Sequence, residues 1–92
     1  MDIQHKSNES KGVFFVEVDG DVAAEMAYNW AGEEKIIIDH TEVKDSLRGK
    51  GVGKKLLLEV VDFARNKNIK ILPLCPFAKS VFDKDSSLRD VL

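Results

Sequence analysis

The sequence predicts a mixed α+β fold: an antiparallel meander of three strands, a helix, a strand parallel to the third one, and a short C-terminal helix. Three runs rich in β-branched and aromatic residues follow one another with only short polar turns between them. An amphipathic segment with helical spacing comes next. The apolar run after it then requires a right-handed crossover, which makes it parallel to the third strand. The 92 residues are expected to form a single domain, 1–92.

Turn residues delimit the three strands of the meander. The first strand, Val13–Val18, ends at Asp19-Gly20-Asp21, which is a hairpin signal. The second strand is Val22–Trp30, and the third is Lys35–Val43. Before the meander, Ile3–His5 can form a short strand; the rest of residues 1–11 is expected to be irregular, and His5 to lie at the surface.

The second half of the chain predicts the crossover unit. Residues Val52 to Asn66 have an apolar face at helical spacing, formed by Val52, Leu56, Val60 and Phe63. The last strand is predicted at Ile69–Cys75, where Pro76 stops it, and a short helix at Pro76–Lys84. Residues 85–92 give no clear signal, although Ser86 or Ser87 could cap a terminal turn.

Composition narrows the class of protein. With 43% hydrophobic and 33% charged residues, the chain is typical of a globular domain. The net charge of −2 argues against broad binding to nucleic acid or to a membrane surface. No apolar run is long enough to span a bilayer. A single cysteine cannot form an intramolecular disulfide, which favours a cytoplasmic location, and no metal site is expected.

The central motif is a glycine-rich loop between the third strand and the long helix. Its sequence from Val43 to Lys55 is VKDSLRGKGVGKK. Glycines allow close backbone approach, and a helix N-terminus presents free N–H groups, so this segment predicts an anion site, most naturally for phosphate. The spacing excludes a Walker A loop, because Arg48 stands where its first glycine belongs. It also excludes the dinucleotide pattern, whose third glycine would fall on Lys54 or Leu56.

The loop resembles the acetyl-CoA loop of the GNAT superfamily of N-acetyltransferases, V-x-P-x-x-[RQ]-G-x-G-[IVA]-G. The matching residues are Val43, Arg48, Gly49, Gly51, Val52 and Gly53, whereas Asp45 replaces the usual proline. The resemblance covers about residues 13–84 and implies that acetyl-CoA is the co-substrate and that an acetyl group passes to a primary amine. It implies the following cofactor-binding residues: Thr41, Glu42, Val43, Arg48, Gly49, Lys50, Gly51, Val52, Gly53, Lys54 and Cys75.

The catalytic candidates are Cys75, His40 and Glu42. The family's N-x-x-A-x-x-x-Y pattern, whose tyrosine protonates the departing thiolate, is represented here by Cys75, Ala78 and Phe82. The chain is similar to a short, mostly bacterial GNAT-like subgroup in which a cysteine stands at the Cys75 position. Cys75 can therefore be a nucleophile, a proton donor or a packing residue. His40 and Glu42 share one face of a strand, so either can be a general base or a solvated residue.

Two other functions stay open at this stage. The chain could be a CoA-binding or acyl-CoA-sensing module with vestigial catalysis, since Phe82 has no hydroxyl group. It could also be an interaction domain on a degenerate GNAT scaffold, although the intact glycine loop argues against this. The sequence does not distinguish a polyamine, a small metabolite and a protein amine as the acceptor, and it leaves the oligomeric state open.

Overall fold

Five strands form one sheet whose spatial order follows the chain, in a computed structural model that describes residues 1–92. They are β1 (Gln4–Ser7), β2 (Lys11–Val18), β3 (Asp21–Trp30), β4 (Lys35–Val43) and β5 (Lys70–Pro73). The first four pair antiparallel, and β5 pairs parallel with β4. The predicted mixed α+β architecture is therefore confirmed, with β1 as an additional edge strand.

The turn between β2 and β3 shows how the local sequence sets this topology. Asp19 and Gly20 alone connect the two strands, and both have positive φ, 53° and 84°. A two-residue loop of this kind matches the right-handed twist of the strands, and Asp-Gly is among its preferred sequences. The hairpin signal in the sequence is thus confirmed.

Two helices follow the meander. Helix α1 spans Val52–Lys67 and ends at Asn68, which adopts the left-handed conformation of a helix C-cap. Helix α2 spans Pro76–Lys84 and starts with proline, which is well suited to the first helical position. Short 3-10 helices occupy Asp45–Leu47 and Ser86–Val91.

One hydrophobic core lies between the sheet and the helices. It comprises 21 buried residues, drawn from β2 to β5, α1, α2 and the last 3-10 helix. Burying this apolar surface is the main source of stability in so small a domain. No helix packs on the opposite face of the sheet, which we call the open face.

A β-bulge in β4 changes which residues face the core. Tyr28 pairs with Ile38, but Ala27 pairs with His40, so Asp39 is the extra residue. Before the bulge, Ile36 and Ile38 are fully buried. After it, Thr41 and Val43 turn towards the core. The bulge therefore places His40 and Glu42 on the open face.

The ends of the chain differ from the sequence-based expectation. The first strand is Gln4–Ser7 rather than Ile3–His5, because its backbone pairs with residues 12–15 of β2. The last strand is shorter than predicted and ends at Pro73. The expected cap at Ser86 or Ser87 is wrong: the Asp85 side chain accepts a hydrogen bond from the Ser87 backbone N–H.

His5 is exposed, as expected of a surface residue, but one side of its ring also makes specific contacts with the core. Its ring stacks on Phe14 with 3.9 Å between centroids, and its Nε2 lies 2.7 Å from the Tyr28 hydroxyl. Burial and the nearby charge of Lys67 lower the pKa of His5 below its ordinary value. His5 thus anchors β1 to the aromatic part of the core.

Candidate active site

The glycine loop presents a row of free backbone donors. The N–H groups of the six residues 49–54 donate to no acceptor within the chain; the first helical bond runs from Lys55 to Gly51. Gly51 caps α1 without any side-chain hydrogen bond, and the first turn of the helix has no acidic residue. Such a row of N–H groups at the positive end of a helix dipole favours an anion.

Two glycines of the loop need their backbone freedom. Gly49 and Gly51 have φ of +79° and +71°, a region that residues with a Cβ rarely adopt. A Cβ at either position would meet no atom within 4 Å, so the space in front of both residues is open. Open space beside free N–H groups suits an anionic group of a ligand.

Gly53 is needed for a different reason. A Cβ there would lie 2.7 Å from the ring of Phe77, which packs over the start of α1. Phe77 comes from the first turn of α2, so this contact ties the two helix N-termini together. Sequence reasoning missed Phe77, because nothing in its local pattern indicates a partner 24 positions earlier.

The basic residues of the loop have different surroundings. Arg48 Nε lies 3.1 Å from a carboxylate oxygen of Asp45, and both side chains are largely exposed. Exposed pairs of this kind contribute little stability, so Arg48 is free to exchange Asp45 for a phosphate. Hydrogen bonds from Ser87 lower the pKa of Asp85, and the positive charge of Lys54 contributes to the same shift. Lys54 therefore lies near Asp85, the C-cap residue of α2, and both Lys50 and Lys54 are exposed.

A cleft opens where β4 and β5 separate. Their pairing ends at Ile38 and Pro73, and the Ile38 carbonyl then accepts hydrogen bonds from both Leu74 and Cys75 N–H, each 3.0 Å long. Strand β4 nevertheless continues to Val43, so its last five residues have no neighbour on the β5 side. This cleft leads towards the glycine loop.

The free edge of β4 offers backbone groups to a ligand. Lys44 N–H donates to the Ala23 carbonyl, and the alternation of an antiparallel ladder then directs the backbone groups of Thr41 and Val43 away from β3 and into the cleft. An extended molecule with amide groups could pair with them as a strand would.

Cys75 lies at the inner end of the cleft. Its side chain is buried, and its thiol donates a hydrogen bond to the Thr41 hydroxyl at 3.1 Å. The cysteine is the N-cap of α2, while Thr41 comes from β4, so the bond joins the two walls of the cleft. Phe82, at the family's tyrosine position, is only 1% exposed and belongs to the core.

His40 and Glu42 form a second pair on the other side of β4. His40 Nε2 lies 3.4 Å from the Glu42 carboxylate, and both side chains are exposed on the open face. The structure thus brings His40 to Glu42 and Cys75 to Thr41, but places the two pairs on opposite faces of the strand. The cleft lies at the edge between them.

Comparison with known proteins gives this arrangement a family. A sequence profile of the GCN5-related N-acetyl-transferase family matches residues 13–91. The chain therefore belongs to the GNAT family. Protein NATD1 of Gallus gallus is 30% identical over 74 residues, covering 79% of this chain and 67% of the relative. Protein NATD1 of Xenopus tropicalis is 33% identical over 52 residues, 56% of this chain, which spans about half (48%) of that relative's length.

Solved structures share the fold. A GCN5-like protein of Staphylococcus aureus, determined by NMR, is 42% identical with a TM-score of 0.75, covering 96% of this chain and 85% of that one. A GNAT acetyltransferase of Elizabethkingia anophelis, solved with acetyl-CoA bound, has a TM-score of 0.63 at 16% identity, covering 82% and 52% of the two chains. At that identity the second likeness concerns the fold alone.

No group of three or more His, Cys, Asp or Glu side chains is arranged to hold a metal ion. None of the helices is long and apolar enough to cross a membrane.

Proposed function

We propose that this protein is an N-acetyltransferase that moves the acetyl group of acetyl-CoA to a primary amine. The observation that carries the proposal is the continuity between six free N–H groups at residues 49–54 and the cleft between β4 and β5. The first fits phosphate groups, and the second fits an extended arm with amide groups. Acetyl-CoA, when bound, supplies the acetyl group as a reactive thioester.

The chain's own residues would share the binding as follows. The backbone of residues 49–54, with Arg48, Lys50 and Lys54, holds the pyrophosphate. The edge of β4 from Thr41 to Val43 pairs with the pantetheine amides. Cys75 then lies closest to the sulfur, and the Val43 N–H stabilises negative charge that develops on the acetyl oxygen. Val43 is the last residue of β4 and Cys75 directly precedes α2, so both donors lie at the ends of regular elements, which favours fixed geometry.

Protons must move on both sides of the reaction. The nitrogen of the neutral amine forms a bond to the acetyl carbon while the carbon–sulfur bond breaks, so the amine loses a proton and the thiolate gains one. Cys75 donates its thiol proton to the departing thiolate. It thus takes the role of the family's tyrosine, whose position is held here by Phe82, a residue without a hydroxyl group. His40 or Glu42 accepts the proton of the amine on the open face.

Substitution of Cys75 tests this assignment. Cys75→Ala should lower kcat by about 100-fold or more, the usual contribution of a proton donor, with little change in the KM for acetyl-CoA. Thr41→Val is the matched control, because it removes the partner of the thiol and leaves the thiol itself. It should reduce kcat less than Cys75→Ala does.

Mass spectrometry separates the two chemical roles of Cys75. A nucleophilic cysteine would take the acetyl group from acetyl-CoA without any amine, and the protein would gain one acetyl group. A proton donor would show no such adduct. Wild-type turnover by Cys75→Ala would exclude both roles and leave His40 and Glu42 as the candidates.

A second candidate function rests on Phe82. Because this buried ring supplies no hydroxyl, a module that binds CoA or senses acyl-CoA with vestigial catalysis is the alternative. Titration with acetyl-CoA, followed by acetyl transfer to a panel of amines, distinguishes the two functions. The need for acetyl-CoA and the free thiol of Cys75 are both in keeping with a cytoplasmic enzyme.

A further inference from the structure

A groove crosses the open face of the sheet, on the side away from α1 and α2. It has a volume of about 470 Å³, comparable with sites that hold small molecules. Strands β1, β2 and β3 and the turn between β1 and β2 supply its lining: Lys6, Ser7, Asn8, Lys11, Gly12, Val13, Phe15, Val22, Glu25 and Ala27.

The strand register explains why the groove runs across the strands. Lys6 pairs with Val13, Val13 with Ala27, and Ala27 with His40. The two central residues of this row, Val13 and Ala27, have small side chains, so the surface is depressed between its ends. The neighbouring row contains the longer side chains of Gln4, Phe15 and Glu25, which form a wall. The lining of the groove ends on β3 at Ala27 and Glu25, whose pairing partners on β4 are His40 and Glu42.

The two ends of the groove carry opposite charge. Lys6 and Lys11 lie at the β1 end, and neither has an ion-pair partner; the Lys6 ammonium is 5.4 Å from the centroid of the Phe15 ring. Glu25 lies at the β4 end, directly opposite Glu42 in the register, and makes no ion pair. Two neighbouring carboxylates repel each other unless a cation lies between them. Lys44 borders the same small pocket as both carboxylates but makes no ion pair with either, so the position between them is open to a ligand cation.

We propose that this groove binds the acceptor, and that the acceptor is an amine with an anionic group at its far end. The ammonium group lies between Glu25 and Glu42, beside His40, and the anionic group lies between Lys6 and Lys11. Three strand spacings separate Lys6 from His40, roughly 14 Å. The charged groups of the protein occupy part of this span, so the two charged groups of the acceptor are about 10 Å apart. The inference rests on the proposed transferase function and names its substrate class.

An ω-amino acid of suitable length is the probe. Acetyl transfer would be measured with 8-aminooctanoate and with its amide, 8-aminooctanamide, which has the same length and no anionic group. We expect kcat/KM to be higher for the carboxylate by roughly two- to fivefold per lysine contacted, the range for exposed charge pairs. For 4-aminobutanoate, which is too short to reach both ends, the lysines should have no effect.

Paired variants test the lysines directly. Combining Lys6→Gln with Lys11→Gln should bring the ratio of carboxylate to amide close to one. Lys79→Gln combined with Lys84→Gln, an equal loss of two charges at exposed positions on α2, should leave the ratio as in the wild type. Equal use of carboxylate and amide by the wild type, or an unchanged ratio in the double variant, would overturn the proposal.

A binding measurement keeps this inference separate from the proposed reaction. 8-Aminooctanoate should shift the amide NMR signals of Val13 and Ala27 without acetyl-CoA, and the double lysine variant should lose these shifts. Shifts without any acetyl transfer would support the groove and refute the transferase function. Transfer without shifts at these two residues would refute the groove and leave the transferase function intact.

Discussion

Replacing Gly51 with alanine should separate the folding role of the glycine loop from its binding role. Gly51 has φ of +71°, and a Cβ there would touch nothing within 4 Å, so the only folding cost is backbone strain. That strain is about 1–2 kcal/mol, and restriction of the unfolded chain offsets about 0.4–1 kcal/mol of it. The net loss is about 1 kcal/mol, or a fall in Tm of about 4–8 °C for a domain of this size.

Gly32 provides the matched control. It has φ of +80° and equally open surroundings, but it lies in the turn between β3 and β4, away from the cleft. Gly32→Ala should therefore lower Tm as much as Gly51→Ala does. Ligand present at a hundred times its Kd stabilises the folded state by about 2.7 kcal/mol. Added CoA should raise the Tm of the wild type and of Gly32→Ala. It should raise the Tm of Gly51→Ala much less.

Thermal unfolding of the three proteins with and without CoA provides the measurement. An equal rise in Tm for Gly51→Ala and Gly32→Ala would show that the loop does not bind CoA. If Gly51→Ala without ligand lost far more stability than Gly32→Ala, the added methyl group would be meeting other atoms, contrary to the open space in front of Gly51.

Two further predictions concern charge. CoA affinity should fall as NaCl rises from about 0.05 to about 0.5 M, and Arg48→Glu should weaken it further, whereas pantetheine without the nucleotide should be insensitive to both changes in a titration. The pKa of His5 is lowered in the folded state, so the unfolded chain binds the proton first and stability falls as the pH drops below about 6.5. The urea midpoint of the wild type should therefore be lower at about pH 5.5 than at about pH 7.5. This difference should shrink in His5→Gln and persist in His40→Gln. An unchanged difference in His5→Gln would contradict the assignment of the effect to His5.

The central part of the fold was predictable because its signals are local. Asp19-Gly20 is a hairpin turn in sequence and in structure, and the spacing of the apolar residues between Val52 and Lys67 is that of a helix packed on one side. The glycine loop was predictable for the same reason, since its motif spans fewer than a dozen residues. Such patterns need no knowledge of distant contacts.

What the sequence could not predict depends on contacts between distant residues. His5 bonds to Tyr28, 23 positions away, and Phe77 packs on Gly53 from another helix. Nothing in the local pattern of either residue indicates these partners. The bulge at Asp39 was missed as well, because apolar and polar residues still alternate in the sequence both before and after the extra residue. Register alone decides which face each side chain takes.

That single extra residue has a consequence for how the protein can vary. Before Asp39, substitutions at Ile36 and Ile38 change the packing of the core. After Asp39, the residues of β4 alternate between the cleft and the open face. The cleft, through Thr41, and the open face, through His40 and Glu42, can therefore change independently. Relatives could acquire a different acceptor by altering the open face while the cofactor-binding edge stays as it is. A deletion at Asp39 would exchange the two sets of residues and disable both sites at once.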